Sequence, residues 1–301
     1  MGKRAQVLVP ATTANLGAGF DCLGMALDLY NSFHFELGTD GFSVTGEGVR
    51  ELEASQGQLV YRAWKVAYKS VSRLAPPVKL HIESQIPIGR GLGSSATAVV
   101  AGLYAANYLG NLQLSVDKLL SLATGIEGHP DNVAPALLGS LVVASTGEQP
   151  DEMDYIVLDS PGGLQVILAV PAFELSTTKA RSVLPKMVDY RDAVFNVGKA
   201  SLFIAAWSKK NWDLLGKAMG DRLHQPFRAT LIPGLVEVLS AAVEAGALGS
   251  ALSGAGPSVV ALTRQKPHDV GMAMESAFAA HGVECSVIVT KPAGRGAHLA
   301  R

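Results

Sequence analysis

From Gly91 to Val116 the chain carries no charged residue. Such a run either crosses a membrane or is wrapped by a large fold, and a spanning helix needs about 20 consecutive apolar residues. Gly93, Ser94, Ser95, Asn107, Gly110, Asn111 and Gln113 interrupt this one, so a buried helix of roughly fifteen residues between two loops is the better reading. A helix apolar on every side must be covered on every side. The chain has the material: 301 residues, 48% of them hydrophobic, make about two domains by length. Charged residues are only 17%, below the average of roughly 25%, which excludes a disordered chain or a coiled coil.

Charge also narrows the partner. Twenty-five Lys and Arg against 26 Asp and Glu give a net charge of −1, with no basic run, so the footprint for nucleic acid or an anionic membrane is missing. A small molecule is the expected partner. Cys22 and Cys285 cannot build a disulfide framework, and MGKRAQVLVP has no apolar stretch of signal-peptide length, so a cytoplasmic location is expected.

Alternation predicts strands at Gln6–Pro10, Asn31–Leu37 and Val78–Ser84, with Gly-rich turns near Gly41 and Gly48. Helical spacing marks Leu59–Leu74, ended by Pro76 and Pro77, and Val116–Thr124. Strands at Leu141–Ala144 and Tyr155–Leu158 close the first half. Leu164–Val170 opens the second, with helices expected at Tyr190–Trp207, Trp212–Met219 and Leu235–Ala245 and strands at Ser258–Leu262 and Glu284–Val289. The order is α+β rather than regular βαβ alternation, and SPGG at 160–163 marks a boundary.

Three Gly-rich loops carry the candidate chemistry. Pro87–Leu103, PIGRGLGSSATAVVAGL, runs a flexible loop into the uncharged helix. Backbone N–H groups and the positive dipole end there suit phosphate oxygens, and Ser94 or Ser95 can cap the helix or offer a hydroxyl to a metal. A tight strand-to-helix turn with a Ser cap is the alternative. No lysine follows the glycines, so the Walker A pattern fails; Gly91, Gly93 and Ala96 match G-x-G-x-x-A, but without the acidic strand end that places a ribose. In PATTANLGAGFDCLG, Asp21 among apolar neighbours is paired, binds a cation or caps local turns. In EGHPDNVAP, Glu127, His129, Asp131 and Asn132 crowd a proline-flanked turn, better suited to Mg²⁺ than to zinc. GALGSALSGAGPSVVAL either covers a ligand or turns tightly, and Arg181 and Arg228 are isolated arginines beside polar turns. The chain has no G-x-S-x-G elbow and no thiol-hydrolase setting.

Taken together and in this order, PATTANLGAGFD, PIGRGLGSSAT and LSGAGPSV resemble the three motifs of the GHMP kinases. PATTANLGAGFDCLG, EGHPDNVAP, STTKAR and HQPFR with the following LIPG are most similar to the homoserine kinase branch. The resemblance spans essentially the whole chain. It implies a two-domain α+β fold: residues 1–162 similar to ribosomal protein S5 domain 2, residues 163–301 ferredoxin-like, and ATP in the cleft between them. The implied activity is ATP-dependent phosphorylation of the hydroxyl of L-homoserine, a step of threonine biosynthesis, with a homodimer among the expectations.

By the same resemblance, Pro87, Gly89, Arg90, Gly91, Leu92, Gly93, Ser94, Ser95, Ala96 and Thr97 form the phosphate loop, and Ser95 and Glu127 hold Mg²⁺. Asn15, Asp21, Thr177, Arg181, Arg228 and Gly254 line the substrate pocket. Asn132, with Asp131 beside it, faces the reacting hydroxyl. The residue types suit the substrate: arginines for a carboxylate, Asp21 for an ammonium, an amide for a hydroxyl. One departure is Gln58, where relatives often carry Asn near the adenine. The rival readings are another GHMP kinase acting on an alcohol such as mevalonate, an inactive nucleotide sensor, and a dinucleotide oxidoreductase resting on GLGSSA alone.

Overall fold

The computed structural model describes residues 3–47, 56–147 and 153–300, so Gly48 lies outside the described residues. In the first half these form β1 (Arg4–Ala14), β2 (Leu23–Leu37), β3 (Gly41–Gly46), α1 (Gln56–Ser70), β4 (Val78–Ser84), α2 (Ser94–Gly110), α3 (Val116–Glu127), α4 (Pro130–Leu138), β5 (Leu141–Thr146) and β6 (Met153–Leu158). The strands make one sheet in the order β11-β1-β2-β4-β3, in which β11 is His298–Leu299; β5 also pairs with β2, and β6 with β5. Among the described residues only β3 and β4 run parallel.

The uncharged run contains α2, which is enclosed along most of its length, with Ser95 and Tyr108 exposed. Ala96, Ala98, Val99, Val100, Ala101, Leu103, Ala105 and Ala106 are all buried, packed with Val60, Ala63, Trp64 and Ala67 of α1 and with Phe33, Phe35, Leu80 and Ile82 of the sheet. The small residues let α1 approach closely: a Cβ on Gly102 would sit 2.5 Å from the Val60 carbonyl oxygen. Among the described residues no single helix is long and apolar enough to cross a membrane.

The second half contains β7 (Gln165–Pro171), α5 (Thr177–Ser182), α6 (Tyr190–Lys209), α7 (Trp212–Lys217), α8 (Gln225–Arg228), α9 (Leu235–Glu244), β8 (Gly249–Leu252), β9 (Val259–Thr263), α10 (Pro267–Ala280) and β10 (Cys285–Thr290). Its antiparallel sheet has the order β10-β7-β9-β8. Ala11, Leu23, Met25 and Leu27 from the first sheet share an apolar layer with Val166, Leu168 and Leu262 from the second and with Phe203 and Trp207 of α6. The α+β class expected from the sequence holds. The change of sheet falls between β6 and β7, while the tail returns: β11 pairs with β1, and Pro292 bridges to Leu27.

Several elements differ from the periodicity reading. β1 continues through the expected loop to Ala14, because Thr12 and Thr13 are buried and pair with β2. Pro10, which has no N–H to donate, marks a register shift between Pro10 and Ala11. The expected turn in EGHPDNVAP is instead helix α4, with Pro130 in its first turn, where a missing N–H costs nothing. Part of the GALGSALSGAG loop is strand β8.

Candidate active site

A cleft of about 280 Å³ opens where the 87–95 loop, the β1–β2 connection, α4 and the 253–257 turn meet. Its floor is held by hydrogen bonds between segments far apart in the chain. Thr12 N–H donates to the Leu92 carbonyl oxygen at 3.1 Å, Gly254 N–H to that of Ala14 at 3.1 Å, and Ser253 Oγ–H to that of Gly91 at 2.7 Å. Asn15 Nδ2 donates to the Gly254 carbonyl oxygen at 2.9 Å, while its Oδ1 accepts from Asp21 N–H at 3.0 Å. Asn15 and Asp21 both take positive φ, 69° and 57°, a region that short polar side chains tolerate best.

At one end of the cleft α2 begins. Its cap is Gly93 at φ 70°, and no side chain caps the first turn, which leaves the dipole end directed at the cleft for an anion. A Cβ on Gly93 would stand 1.9 Å from Thr12 Oγ1 and 3.2 Å from Asn132 Oδ1, so a glycine is required by crowding as well as by backbone angle. Beside the loop, Ser95 Oγ–H donates to Glu127 Oε2 at 2.9 Å. Burial raises the Glu127 carboxyl above its ordinary range, opposed by the Ser95 bond. A hydroxyl and a poorly solvated carboxylate side by side are donors that a hard divalent cation prefers.

At the other end is a charged group. Arg181 grips Asp21 with both terminal nitrogens, at 3.0 and 2.7 Å, and that hydrogen bond raises the Arg181 pKa further. Arg228 is only 1% exposed. Its Nε–H donates to the Ala180 carbonyl oxygen at 3.2 Å and an Nη1–H to that of Gly254 at 3.0 Å. Burial, then the Arg181 charge, pull its pKa down to about 10, so it remains a cation at neutral pH. Both guanidinium carbons lie over the Phe20 ring, 5.4 and 5.3 Å from its centre, within cation–π range.

Between the two ends stand the first residues of α4. Asn132 Oδ1 accepts from Thr12 Oγ1 at 2.7 Å, and Asn132 Nδ2 donates to Asp131 Oδ1 at 3.2 Å. The same Asp131 oxygen pairs with His129 Nδ1. Burial works against the charged imidazole, but the hydrogen bond and charge of Asp131 outweigh it and raise the His129 pKa. Asp21, His129 and Asp131 each offer an atom within 4.8 Å of the others.

Most residues singled out in the sequence line this one cleft: Asn15, Asp21, Pro87, Gly89 to Ser95, Glu127, Asp131, Asn132, Thr177, Arg181, Arg228 and Gly254. Ala96 and Thr97 do not. Both are wholly buried in α2, where Thr97 Oγ1 donates to the Ser94 carbonyl oxygen at 2.8 Å. The Arg90 side chain is tied to the second half, donating to the carbonyl oxygens of Pro171 and Ala172 at 3.0 and 2.7 Å and lying 3.6 Å from Glu174. Gln58 is exposed and lines a separate cavity with Tyr61 and Lys65, whereas its neighbour Leu59 reaches the cleft. Sequence reasoning missed Thr12 and Phe20 as parts of the site, and gave His129 a place in the crowded turn but no role. The available signal was their place inside PATTANLGAGFD and EGHPDNVAP.

The model of the GHMP kinases N-terminal domain matches residues 58–140, and that of the GHMP kinases C-terminal domain residues 203–281. The chain is 46% identical over 293 residues to a homoserine kinase of Moorella thermoacetica, covering 97% of this chain and 98% of that one. A homoserine kinase of Carboxydothermus hydrogenoformans is 46% identical over 296 residues, with 97% and 95% covered. Among solved structures, a homoserine kinase from Cytophaga hutchinsonii superimposes with a TM-score of 0.87 at 31% identity, covering 100% of this chain and 98% of that one.

Proposed function

The chain belongs to the homoserine kinases of the GHMP kinase family, and from that premise we propose that its cleft transfers the γ-phosphoryl group of ATP to the side-chain hydroxyl of L-homoserine. The product, O-phospho-L-homoserine, is an intermediate of threonine biosynthesis. The observation that carries the assignment is the pairing of unlike ends in one cleft: an uncapped helix start beside Ser95 and Glu127, and an Asp21–Arg181–Arg228 group, with Asn132 between.

Homoserine is a zwitterion with a primary hydroxyl. Its ammonium finds a carboxylate in Asp21, and its carboxylate finds planar donors in Arg181 and Arg228. Without substrate, Asp21 and Arg181 neutralise each other, which spares two charges from standing unpaired. A zwitterion aligned against that ion pair exchanges charge for charge. Asn132 then orients the hydroxyl, and the helix start and loop N–H groups hold the phosphates. Phosphoryl transfer needs such positioning and charge neutralisation more than covalent help. Ser95 and Glu127 are the residues that would hold Mg²⁺, which when bound supplies charge neutralisation at the phosphates. Asp131, shared by His129 and Asn132, fits a supporting role better than that of a free base.

An ADP-release assay across homoserine, mevalonate, galactose and shikimate tests the assignment. Homoserine should be the preferred acceptor by a wide margin. Turnover of mevalonate with none of homoserine would replace it by the rival reading, since a mevalonate pocket needs no partner for an ammonium.

A further inference from the structure

We propose that Thr12 is a positioning residue for the phosphoryl transfer, its hydroxyl fixing which face of the Asn132 amide is offered to the acceptor. The inference rests on the homoserine kinase reading of the cleft. Thr12 is wholly buried, and its Oγ1 meets Asn132 Oδ1 at 2.7 Å. The amide orientation follows from its second partner. A carboxylate accepts but does not donate, so the atom 3.2 Å from Asp131 Oδ1 is the amide nitrogen, and the Thr12 hydroxyl must donate to the amide oxygen.

The amide oxygen gives one of its two lone pairs to Thr12 and one amide N–H goes to Asp131, so the amide keeps one N–H for the cleft. An acceptor hydroxyl that takes this N–H on one oxygen lone pair keeps the other free for phosphorus; as that O–P bond forms, the bond from phosphorus to the ADP oxygen breaks and the hydroxyl proton passes to an oxygen of the transferred phosphoryl group. With the amide reversed, the same hydroxyl would donate its proton to Oδ1 and present a different lone-pair direction.

The Thr12 hydroxyl also touches the other reactant's binding element. Its backbone N–H donates to the Leu92 carbonyl oxygen at 3.1 Å, and a Cβ on Gly93 would fall 1.9 Å from its Oγ1. One side chain therefore sets the acceptor-orienting amide against the phosphate loop.

Thr12→Val removes the hydroxyl at nearly constant volume, while Thr12→Ser restores it. Thr12→Val should lower kcat about 10- to 100-fold, with KM for homoserine and Kd for ATP moving less than about threefold, and Thr12→Ser should recover to within about threefold of wild type. In an Asn132→Ala background, Thr12→Val should cost less than about twofold more, because its target is gone. If Thr12→Val does not fold, Thr12→Ala carries the same comparison. A hydroxyl-free variant with wild-type kcat, a Thr12→Ser as poor as Thr12→Val, or an undiminished loss beside Asn132→Ala would each overturn the proposal. Wild type inactive on homoserine would instead remove the functional reading itself, which separates the two failures.

Discussion

Arg181 and Arg228 look alike in the sequence and differ in the structure. Arg181 is partly exposed and holds Asp21 in a two-point grip, whereas Arg228 is buried and also satisfies two backbone carbonyls. Lysine keeps the charge and loses the planar fork, so each Arg→Lys variant should lose about 10- to 1000-fold in kcat/KM on homoserine, or about 1.4 to 4 kcal/mol. Only Arg228→Lys should also lower Tm. With 3-amino-1-propanol, which lacks the carboxylate, wild type should turn over poorly and the variants little worse; equal losses on both substrates would remove the carboxylate role. Glu127 provides a separate check through pH. Its folded pKa lies above the ordinary carboxyl value, so between the two values the folded state binds more protons than the unfolded one. Stability from this group therefore falls as pH rises across that window. Glu127→Gln should melt no lower than wild type at neutral pH while its turnover drops and its Mg²⁺ requirement rises. A Tm several degrees below wild type would show that the carboxylate stabilises the fold. The charge types of these residues were readable in the sequence. Their pairing, across 160 positions for Asp21 and Arg181, was not, because local pattern carries no information on which distant segment arrives.

The loop at 87–95 shows what an element adds to its residues. Its glycines were legible as a backbone needing freedom, and Gly93 does take φ 70°. A glycine kept only for close ligand approach would let Gly93→Val weaken ATP binding and spare the fold. The structure corrects this: the added Cβ meets Thr12 and Asn132, not open space. A β-branched residue at that angle is strained by about 1–3 kcal/mol before any clash is counted. Gly93→Val should therefore lose ATP affinity and thermal stability together, and an unchanged Tm with weakened ATP binding would restore the simpler account. Long periodic elements were found nearly at their observed ends, such as α6, because one face is buried and the period survives. Two elements show where that signal fails. β1 beyond Pro10 shows no alternation since Ala11 to Ala14 are all buried, and α4 was hidden by Pro130, which a first turn accepts, and by Pro135 inside the helix.

At the scale of the whole molecule, the two sheets do not divide the chain cleanly into 1–162 and 163–301. The apolar layer between them is shared, and the tail crosses back over the first sheet. Asp28 N–H donates to the Lys291 carbonyl oxygen at 2.9 Å, Ala293 N–H to that of Ala26 at 2.9 Å, and Ser140 N–H to that of Ala293 at 2.7 Å. Further along, Ala297 N–H donates to the Ala136 carbonyl oxygen at 2.8 Å and Ala300 N–H to that of Gln6 at 2.9 Å. Gly139 and Gly296 pack so closely that a Cβ on the former would lie 2.6 Å from the latter's nitrogen. Ala136 belongs to α4, whose first turn carries Asp131 and Asn132, so the tail braces the helix to which the proposed function assigns the acceptor-orienting amide. At about 1 kcal/mol net per hydrogen bond, the five bonds are comparable with the roughly 5–15 kcal/mol that holds a domain together. Ending the chain after Thr290 should therefore lower Tm sharply or abolish folding. Ending it after Gly296, which keeps the three bonds nearest β2, should fold with a smaller loss of Tm but a clear fall in kcat. If both truncated chains melt and turn over as the full chain does, the tail is a covering strand without influence on α4.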